Sequence, residues 1–585
     1  MTTKRYRFSR FFNIQPSLFA AKRISLVVAD YYRADRGDRI QFRIKLLMNA
    51  PKHLLLPTAF ALAILCLVAW VAARPNIISY HSETTEGGKD VAMAADQVNA
   101  LLQETWTDYS IEPAAGADDL QVYRRLALAL VGTAPSLEEI RRFEADPSPD
   151  RLQQWTTRFI SDSRFVEYFA ARLGDAFVDP VAEDLKPHQR ERFRRWLGKS
   201  LQQGTAYSEI AREMIAAHGV FADRPATTFV SLELSLGDQA AERLAARTSR
   251  AFLGQRIDCA QCHDHPFAEW TQPQFEGLAA YYGQVQFRDA RVQDTHSRPF
   301  VIEDDRAQEE RTVAPEVPFD SQWISDGKHL RAQLATWVTH TENRRFRRAI
   351  ANRVWGLMLG RAFITPVDDL PDPSSPDDPD VLDVLATDLA NHGDDLRRLI
   401  HVIVATRAFN LASTHEALED EESAQQHEEA WAVFPVTELS PQQMFRAMQQ
   451  AAAVKTLRAE NANTFSAIRR YEQQDRFVND YGIASDAEDA QASTIPHTVQ
   501  RLSGNFTRQL SNATLLTAPG RIAVMSTDAT TCLENCYLAC LSRRPMPDER
   551  KHFLPQFAGN LNRRANAVED VYWTLFNSAE FCWNH

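Results

Sequence analysis

Residues 252–267 read FLGQRIDCAQCHDHPF, and we expect the rest of the chain to be organised around this stretch. It contains the pattern Cys-x-x-Cys-His at Cys259, Cys262 and His263. At this spacing two thiols can add to the two vinyl groups of one haem while the adjacent imidazole ligates the iron. With 7 Cys and 16 His among 585 residues, chance would produce the pattern roughly 0.002 times in such a chain. The pattern therefore indicates a binding site.

Three interpretations of this stretch are open. In the first, Cys259 and Cys262 form thioethers to a c-type haem and His263 is the proximal ligand, which leaves the sixth iron position to a Met, a His or an external molecule. In the second, Cys259, Cys262, His263 and His265 supply ligands for zinc or iron, although this spacing is cramped for a zinc-finger loop. In the third, the two cysteines form a disulfide and the histidines are packed, hydrogen-bonded residues.

His265 and Asp264 follow the candidate iron ligand directly. His265 lies two residues from His263, on the same side of the iron, and therefore cannot easily be the sixth ligand. We expect a hydrogen bond from His265 or Asp264 to orient the His263 ring. In the direct-metal interpretation the same two side chains are ligands of zinc or iron, and the metal ion activates a water molecule.

The first 53 residues are strongly basic, with 12 Lys and Arg against three Asp, a net charge of +9. Because the whole chain carries −12, residues 54–585 carry −21. Between these two parts, residues 54–73 read LLLPTAFALAILCLVAWVAA, with no ionisable side chain except the Cys66 thiol. About 20 apolar residues in a helix span the roughly 30 Å hydrocarbon core of a membrane. The sequence therefore predicts one transmembrane helix.

The charge asymmetry predicts how this helix is oriented. Basic residues precede it and acidic protein follows it, which places the N-terminus in the cytoplasm and the bulk of the chain in the periplasm. The basic region is longer than that of a cleaved signal peptide, so we expect an uncleaved signal-anchor in the inner membrane. Export suits covalent haem attachment. The acidic exported part argues against nucleic acid and favours a cationic redox partner protein.

Helical periodicity dominates the rest of the chain, so we predict a mainly α fold with two helical extracytoplasmic domains behind one transmembrane helix. A helix over residues 123–131 is expected to end at Gly132. Ser136 and Glu139 form a capping box, and a further helix is expected from Gln239 to Phe252, capped by Asp238. The predicted parts are a basic cytoplasmic segment (1–53), the transmembrane helix (54–73), a linker (74–117), a cytochrome-like domain with the Cys-x-x-Cys-His pattern (118–290), an interdomain segment with short strands (291–325) and a C-terminal helical domain (326–585).

A helix opened by Thr271 follows the motif. It would carry Phe275, Leu278, Ala279 and Tyr282 on one face. That face is either part of the core or an apolar wall beside a haem.

The stretch 365–380 is rich in proline and acids. We interpret its carboxylates as solvated loop groups and helix caps rather than calcium ligands, because the EF-hand spacing is absent. An ion pair from Asp368 or Asp369 to Arg353 is expected.

Cys532, Cys536 and Cys540 recur every four residues and so share one helix face. A buried stripe of small side chains is favoured over a metal site. Cys582 could pair with one of the three in an oxidising compartment.

Two blocks of the chain carry a family resemblance. Residues 251–254 and 259–267, followed by Trp270-Thr-Gln, resemble the signature of the planctomycete cytochrome-type (PSCyt) domain of the second kind. Residues 352–400, with NRVW, GR, PVDD and HG, resemble the domain that habitually follows it, as does the closing stretch 573–585. The two resemblances cover residues 118–290 and 326–585.

This resemblance implies an exported, largely helical protein whose family name suggests haem and whose family activity is undefined. It implies that Cys259, Cys262 and His263 are the haem site. The chain lacks the separate haem domain often fused ahead of the pair, and it has a long basic head instead.

The sequence thus predicts a membrane-anchored, extracytoplasmic c-type cytochrome-like protein with one covalent haem c, acting in one-electron transfer or redox sensing. One alternative is an extracytoplasmic zinc- or iron-dependent enzyme that uses His263, His265 and Asp264. Another is a non-catalytic module of cell-envelope assembly in which the two cysteines form a staple. The usual hydrolase signatures, a phosphate loop, Gly-x-Ser-x-Gly and His-Glu-x-x-His, do not occur.

Overall fold

Helices dominate the part of the chain that the structure, a computed structural model, describes. The described residues are 86–178, 187–266, 269–295, 299–304, 309–327, 329–458, 473–474, 476–477 and 505–585. By their internal contacts, the residues from Thr84 onwards form one compact unit.

Ten helices of the described ranges precede the motif and one follows it closely. They are α1 (Glu86–Asp108), α2 (Asp119–Val131), α3 (Leu137–Glu144), α4 (Arg151–Ile160), α5 (Ser163–Glu167), α6 (Phe169–Asp175), α7 (Pro187–Gln202), α8 (Tyr207–Ala216), α9 (Thr228–Ser235), α10 (Ala240–Thr248) and, after the motif, α11 (Gln272–Ala280). Two short turns, a π-helical turn (Ser249–Leu253) and a 3-10 turn (Asp258–Gln261), lie between α10 and α11.

Further helices make up most of the remaining described residues. They are α12 (Leu330–Val338), α13 (Arg344–Leu359), α14 (Val381–Asn391), α15 (Leu396–Ala405), α16 (Arg407–Asn410), α17 (Glu421–Glu429), α18 (Pro441–Ala452), α19 (Asn505–Ser511), α20 (Ala518–Met525), α21 (Ala529–Leu541), α22 (Pro547–Phe553), α23 (Leu561–Phe576) and α24 (Ala579–Cys582).

Short antiparallel strands connect parts of the helical framework. The strands are β1 (Gly219–Val220), β2 (Val285–Arg288), β3 (Arg291–Asp294), β4 (Phe300–Asp304), β5 (Glu309–Val313), β6 (Thr437–Glu438) and β7 (Trp583–Asn584). They form a sheet in the order β1-β3-β2, a β4-β5 pair and a β6-β7 pair. Short strands were predicted in 291–325, and β3, β4 and β5 confirm them.

Local signals in the sequence predict several helix ends correctly. The Ser136 hydroxyl accepts a hydrogen bond from the Glu139 amide (3.1 Å), and the Glu139 carboxylate accepts one from the Ser136 amide (2.9 Å). This is the predicted capping box, and it satisfies two amide donors at the start of α3. The preceding helix, α2, ends as predicted at Gly132, whose φ of 68° is left-handed.

The helix before the motif differs from its prediction. It begins at Ala240 after Gln239, which has a left-handed φ of 59°, so Asp238 is not its cap. Its last turn, Ser249–Leu253, is π-helical and ends at Gly254. A π turn accommodates one more residue than an α turn, and such turns are often found at functional sites.

Two clusters of buried apolar side chains form the interior. The first runs from Ala94 to Phe434 and also includes Leu538. The second runs from Met444 to Cys582 and also includes Ala134. Residues of both predicted domains, 118–290 and 326–585, therefore contribute to the first cluster.

The first cluster also contains residues that were predicted to be linker. Residues 74–117 include α1, whose Val98, Leu102 and Trp106 are buried. The Trp106 indole Nε1 donates a hydrogen bond to the Ala430 carbonyl (2.8 Å), so α1 is fixed to a residue far along the chain. The apolar residues of α11 (Phe275, Leu278 and Ala279) and Tyr282, which follows the helix, are buried in the same cluster and are core.

The second cluster contains the three regularly spaced cysteines. Cys532, Cys536 and Cys540 of α21 are buried, which confirms the predicted stripe. Burial raises the pKa of the Cys536 and Cys540 thiols, so both are held in the neutral form. The Cys582 thiol donates to the Ser578 carbonyl (3.3 Å).

The prediction of a membrane-spanning helix requires correction. None of the helices within the described ranges is long and apolar enough to cross a membrane. The segment to which the prediction was assigned, residues 54–73, lies outside the described residues, as does the basic segment 1–53. The described part of the chain is therefore mainly helical, and the membrane helix of the predicted fold class is not supported. The predicted single-pass inner-membrane localisation, with a cytoplasmic N-terminus and a periplasmic bulk, depended on that helix and is withdrawn.

Candidate functional site

The two motif cysteines lie on the 3-10 turn that follows α10. Ile257 and Ala260 are buried and fix the turn to the first core, whereas Cys259 and Cys262 are exposed. In a 3-10 helix residues three apart have eclipsed side chains. The buried side chains of residues 257 and 260 therefore share one side of the turn, and the exposed thiols of Cys259 and Cys262 share another side, which faces solvent. Neither thiol is in a disulfide in this structure.

His263 is exposed directly after the second cysteine. Its Nδ1 lies 2.7 Å from the backbone carbonyl oxygen of Asp264. Because a carbonyl only accepts, Nδ1 carries the proton and donates it, which leaves the lone pair on Nε2. A metal-binding histidine characteristically donates its other ring N–H in this way. The contact between Asp264 and the His263 ring is therefore made by the Asp264 backbone carbonyl, which accepts the hydrogen bond.

Asp264 and His265 connect the motif to α11. The Asp264 carboxylate accepts a hydrogen bond from the Gln272 amide (2.9 Å), one of the donors left open in the first turn of α11. The His265 amide donates to the Trp270 carbonyl (2.7 Å), which closes the loop that leads into the helix. The Asp264 carboxylate thus stabilises the start of α11, where a negative charge is favourable.

The prediction of direct zinc or iron binding by His263, His265 and Asp264 is wrong for the arrangement seen here. Across the described residues, no three His, Cys, Asp or Glu side chains are grouped so that they could hold a metal ion. The physical reason at the motif is that the Asp264 carboxylate accepts a hydrogen bond from the Gln272 amide at the start of α11.

On its other side, the motif is contacted by residues 366–370, from the loop between α13 and α14. Asp368 pairs with Arg256 (Nη2–Oδ1 2.7 Å), and the Arg256 amide donates to Asp369 (3.4 Å). The predicted ion pair with Arg353 is therefore wrong. Arg353 is buried on α13 and donates instead to the Ala251 carbonyl (2.9 Å). Burial lowers the pKa of the Arg353 guanidinium, and this effect is opposed by Tyr207 and Asp368.

Gly254 permits the close approach of this loop. It has a φ of +62°, and a Cβ there would lie 3.0 Å from the Leu370 Cδ1 and 3.2 Å from the Ala349 Cβ. We expect Gly254→Ala to lower the free energy of unfolding by about 2–3 kcal/mol, since left-handed backbone strain and crowding act together. Denaturant unfolding measures the change.

Gly393→Ala is the matched control, because its φ is +66° but nothing lies within 4 Å of the added Cβ. Backbone strain alone should cost about 1–2 kcal/mol there. If both variants lost the same free energy of unfolding, the contact between the added Cβ and Leu370 would not contribute to the loss in Gly254→Ala.

Sequence reasoning did not find Gln255 or the role of Trp270 in the site. The Gln255 side chain is buried and accepts a hydrogen bond from the Trp270 indole (3.3 Å) while donating to the Leu370 carbonyl (2.6 Å). No local spacing signals a contact between residues 255 and 370. The Trp270 ring packs near Phe319, with centroids 6.5 Å apart, which links the loop to the first core.

Comparisons with protein families match two regions in the order that the resemblance implies. Residues 97–287 match PSCyt2, described as a protein of unknown function (DUF1549). Residues 330–556 match PSD1, described as a protein of unknown function (DUF1553). No match to a curated protein or to a solved structure was found. The first matched region contains the cysteine turn, and the second contains residues 366–370.

Proposed function

Because this chain carries a PSCyt2 domain followed by a PSD1 domain, both of unknown function, we propose a function from the chemistry of the site: attachment of one c-type haem and one-electron transfer. Cys259 and Cys262 form the two thioethers, and His263 is the proximal ligand. The observation that carries the proposal is the geometry of His263. Its Nδ1 is held by the Asp264 carbonyl and its ring is exposed beside two exposed thiols, so Nε2 can coordinate iron.

The residues of the turn suit covalent attachment. Both thiols lie on the solvent side of the turn, where a flat macrocycle has access to them. The buried Ile257 and Ala260 fix the turn from below, so the relative positions of Cys259 and Cys262 are maintained before attachment. The hydrogen bond to Nδ1 fixes the tautomer of His263 and raises the basicity of Nε2.

A bound haem supplies the one-electron chemistry, and the chain sets its surroundings. The turn is at the surface, so its redox group is accessible to a second protein. Asp258, Asp264 and Glu269 are acidic groups in or next to the motif, and Glu269 and Asp264 are exposed. A cationic electron-transfer protein is the partner that this charge favours, since complementary charge accelerates association.

Intact mass and visible absorption of the full chain test the proposal. The chain is expressed in a host with haem-c maturation machinery, beside the variant Cys259→Ala/Cys262→Ala. The wild type is expected to gain the mass of one haem, to show a Soret band and to keep the haem under denaturing conditions, whereas the double variant gains none. Asp258→Asn is the control, since it changes the same turn without removing an attachment group.

A wild-type chain with no Soret band would refute the haem proposal. A mass lower by two hydrogens in the wild type, restored by a reducing agent and not seen in Cys259→Ala/Cys262→Ala, would instead identify a disulfide between the motif cysteines.

A further inference from the structure

Residues 366–370, which we call the clamp segment, bind three successive residues ahead of Cys259. The Leu370 amide donates to the Gly254 carbonyl (2.7 Å). The Gln255 amide side chain donates to the Leu370 carbonyl (2.6 Å). Arg256 forms its ion pair with Asp368, with Nε and Nη2 at 2.8 and 2.7 Å from Oδ1. The backbone that enters the cysteine turn is therefore held by a segment more than 100 residues away in the sequence.

Gln255 also holds the chain that leaves the turn. Its Oε1 accepts from the Trp270 indole (3.3 Å), and the Trp270 carbonyl accepts from the His265 amide (2.7 Å). Both ends of the loop that carries Cys259, Cys262 and His263 are thus tied to one side chain. Gln255 is only 6% exposed, so removing its amide would leave the Leu370 carbonyl and the Trp270 indole without this buried partner.

The two contacts of the clamp segment differ in strength. The Arg256–Asp368 pair is partly exposed, with the two side chains 46% and 19% accessible, and such pairs are individually weak. The Gln255 bonds are buried, where an unmade hydrogen bond is costly. The position of the loop that carries Cys259, Cys262 and His263 therefore depends mainly on Gln255. Asp368 contributes less, by fixing Arg256.

We propose that the clamp segment belongs to the functional site and that Gln255 and Asp368 are positioning residues for attachment and ligation at the cysteine turn. Gln255 lies in the PSCyt2 region, whereas Asp368 and Leu370 lie in the PSD1 region. The two domains consequently build one site between them, as well as one core. For its chemistry, the inference rests on the proposed haem function; its geometry does not depend on haem.

Hydrogen exchange of the unloaded full chain tests the positioning of the loop. In Gln255→Leu and Asp368→Asn, the His265 amide is expected to exchange about tenfold faster than in the wild type, because the loop opens locally more often. Amides of Val568 and Val571, in the second core, report any global loss of stability and should be unchanged. Asp372→Asn is the matched control, since Asp372 lies on the same loop as Asp368 but pairs with Arg345 of α13 and is 75% exposed.

Loading with haem tests what the positioning is for. The fraction of chains that carry covalent haem is expected to fall at least about threefold in Gln255→Leu and Asp368→Asn, since small displacements of reacting groups slow attachment strongly. Arg256→Lys should keep most of the loading, because lysine preserves the charge opposite Asp368. Asp372→Asn should load as the wild type does. Asp368→Asn changes a partly exposed side chain, so it remains informative if Gln255→Leu does not fold.

The outcomes separate this inference from the function on which it rests. If hydrogen exchange and haem loading of the variants both stay at the wild-type level, the proposed positioning role of the clamp segment is overturned. Faster exchange with unchanged loading would also overturn it, because the contact would then be purely structural. Faster exchange in a chain whose wild type takes up no haem would overturn the proposed function and leave the positioning of the turn supported.

Discussion

Replacing Arg164 with Met is expected to lower the free energy of unfolding by about 3–5 kcal/mol at pH 7. The Arg164 guanidinium binds both oxygens of Asp162 (3.0 and 2.9 Å) and one of Glu139 (2.6 Å), and all three side chains are at most 5% exposed. Without Arg164, the buried carboxylates of Asp162 and Glu139 lose their principal positive partner. Chemical denaturation followed by tryptophan fluorescence measures the loss. Arg142→Met is the matched control, because Arg142 pairs with Glu138 on the exposed side of the same region.

The Arg164 contribution is expected to depend on pH. Burial by itself would raise the pKa of Asp162, but the bonds and charge of Arg164 outweigh burial and lower it. A lowered folded-state pKa contributes stability above the unfolded pKa, about 3.9, and this contribution disappears as the pH falls through the folded pKa. The difference in the free energy of unfolding between the wild type and Arg164→Met should therefore become smaller below about pH 4. A constant difference from pH 7 to pH 3 would contradict this assignment.

Replacing His263 with Gly is expected to retain covalent haem and abolish its proximal ligation. In the proposed haem site, Cys259 and Cys262 would form the thioethers, whereas the His263 Nε2 would bind the iron. Because His263 is exposed, imidazole added to the solution can reach the vacated position and should restore the wild-type visible spectrum. Spectra of the loaded variant with and without imidazole measure both effects.

His265→Gly provides the control for this experiment. His265 contributes its backbone amide to the loop, and that amide remains in the variant. The visible spectrum of the loaded His265→Gly variant should match that of the wild type. If His263→Gly also kept the wild-type spectrum, another residue would be the proximal ligand.

Helix ends are the part of the fold that the sequence predicts best. The capping box of Ser136 and Glu139 and the left-handed Gly132 are both present, because each depends on groups within a few residues of one another. The start of α10 was misplaced for a related reason. Nothing in the local pattern distinguishes a capping Asp238 from a left-handed Gln239, and the following π turn changes the phase of the helix.

Contacts between distant parts of the chain could not be predicted in the same way. The motif residues could be assigned to one site because they are adjacent in sequence. The partner of Asp368 was assigned to Arg353, although Arg256 takes that position, because ion-pair choice depends on the path of two loops separated by 112 residues. The alternative of direct zinc or iron binding also depends on distant contacts, since the Asp264 carboxylate accepts a hydrogen bond from the first turn of α11. The shared first core likewise depends on packing across the whole chain.

The bond from Trp106 to Ala430 bears on how the protein is synthesised. The two residues are 324 positions apart, so α1 leaves the ribosome long before its partner. At ~5–20 residues per second, the apolar face of this helix remains uncovered for roughly 15–65 s. A nascent chain in that state exposes Val98, Leu102 and Trp106, the side chains that later close the core. During synthesis we therefore expect the chain to bind a chaperone that covers amphipathic helices.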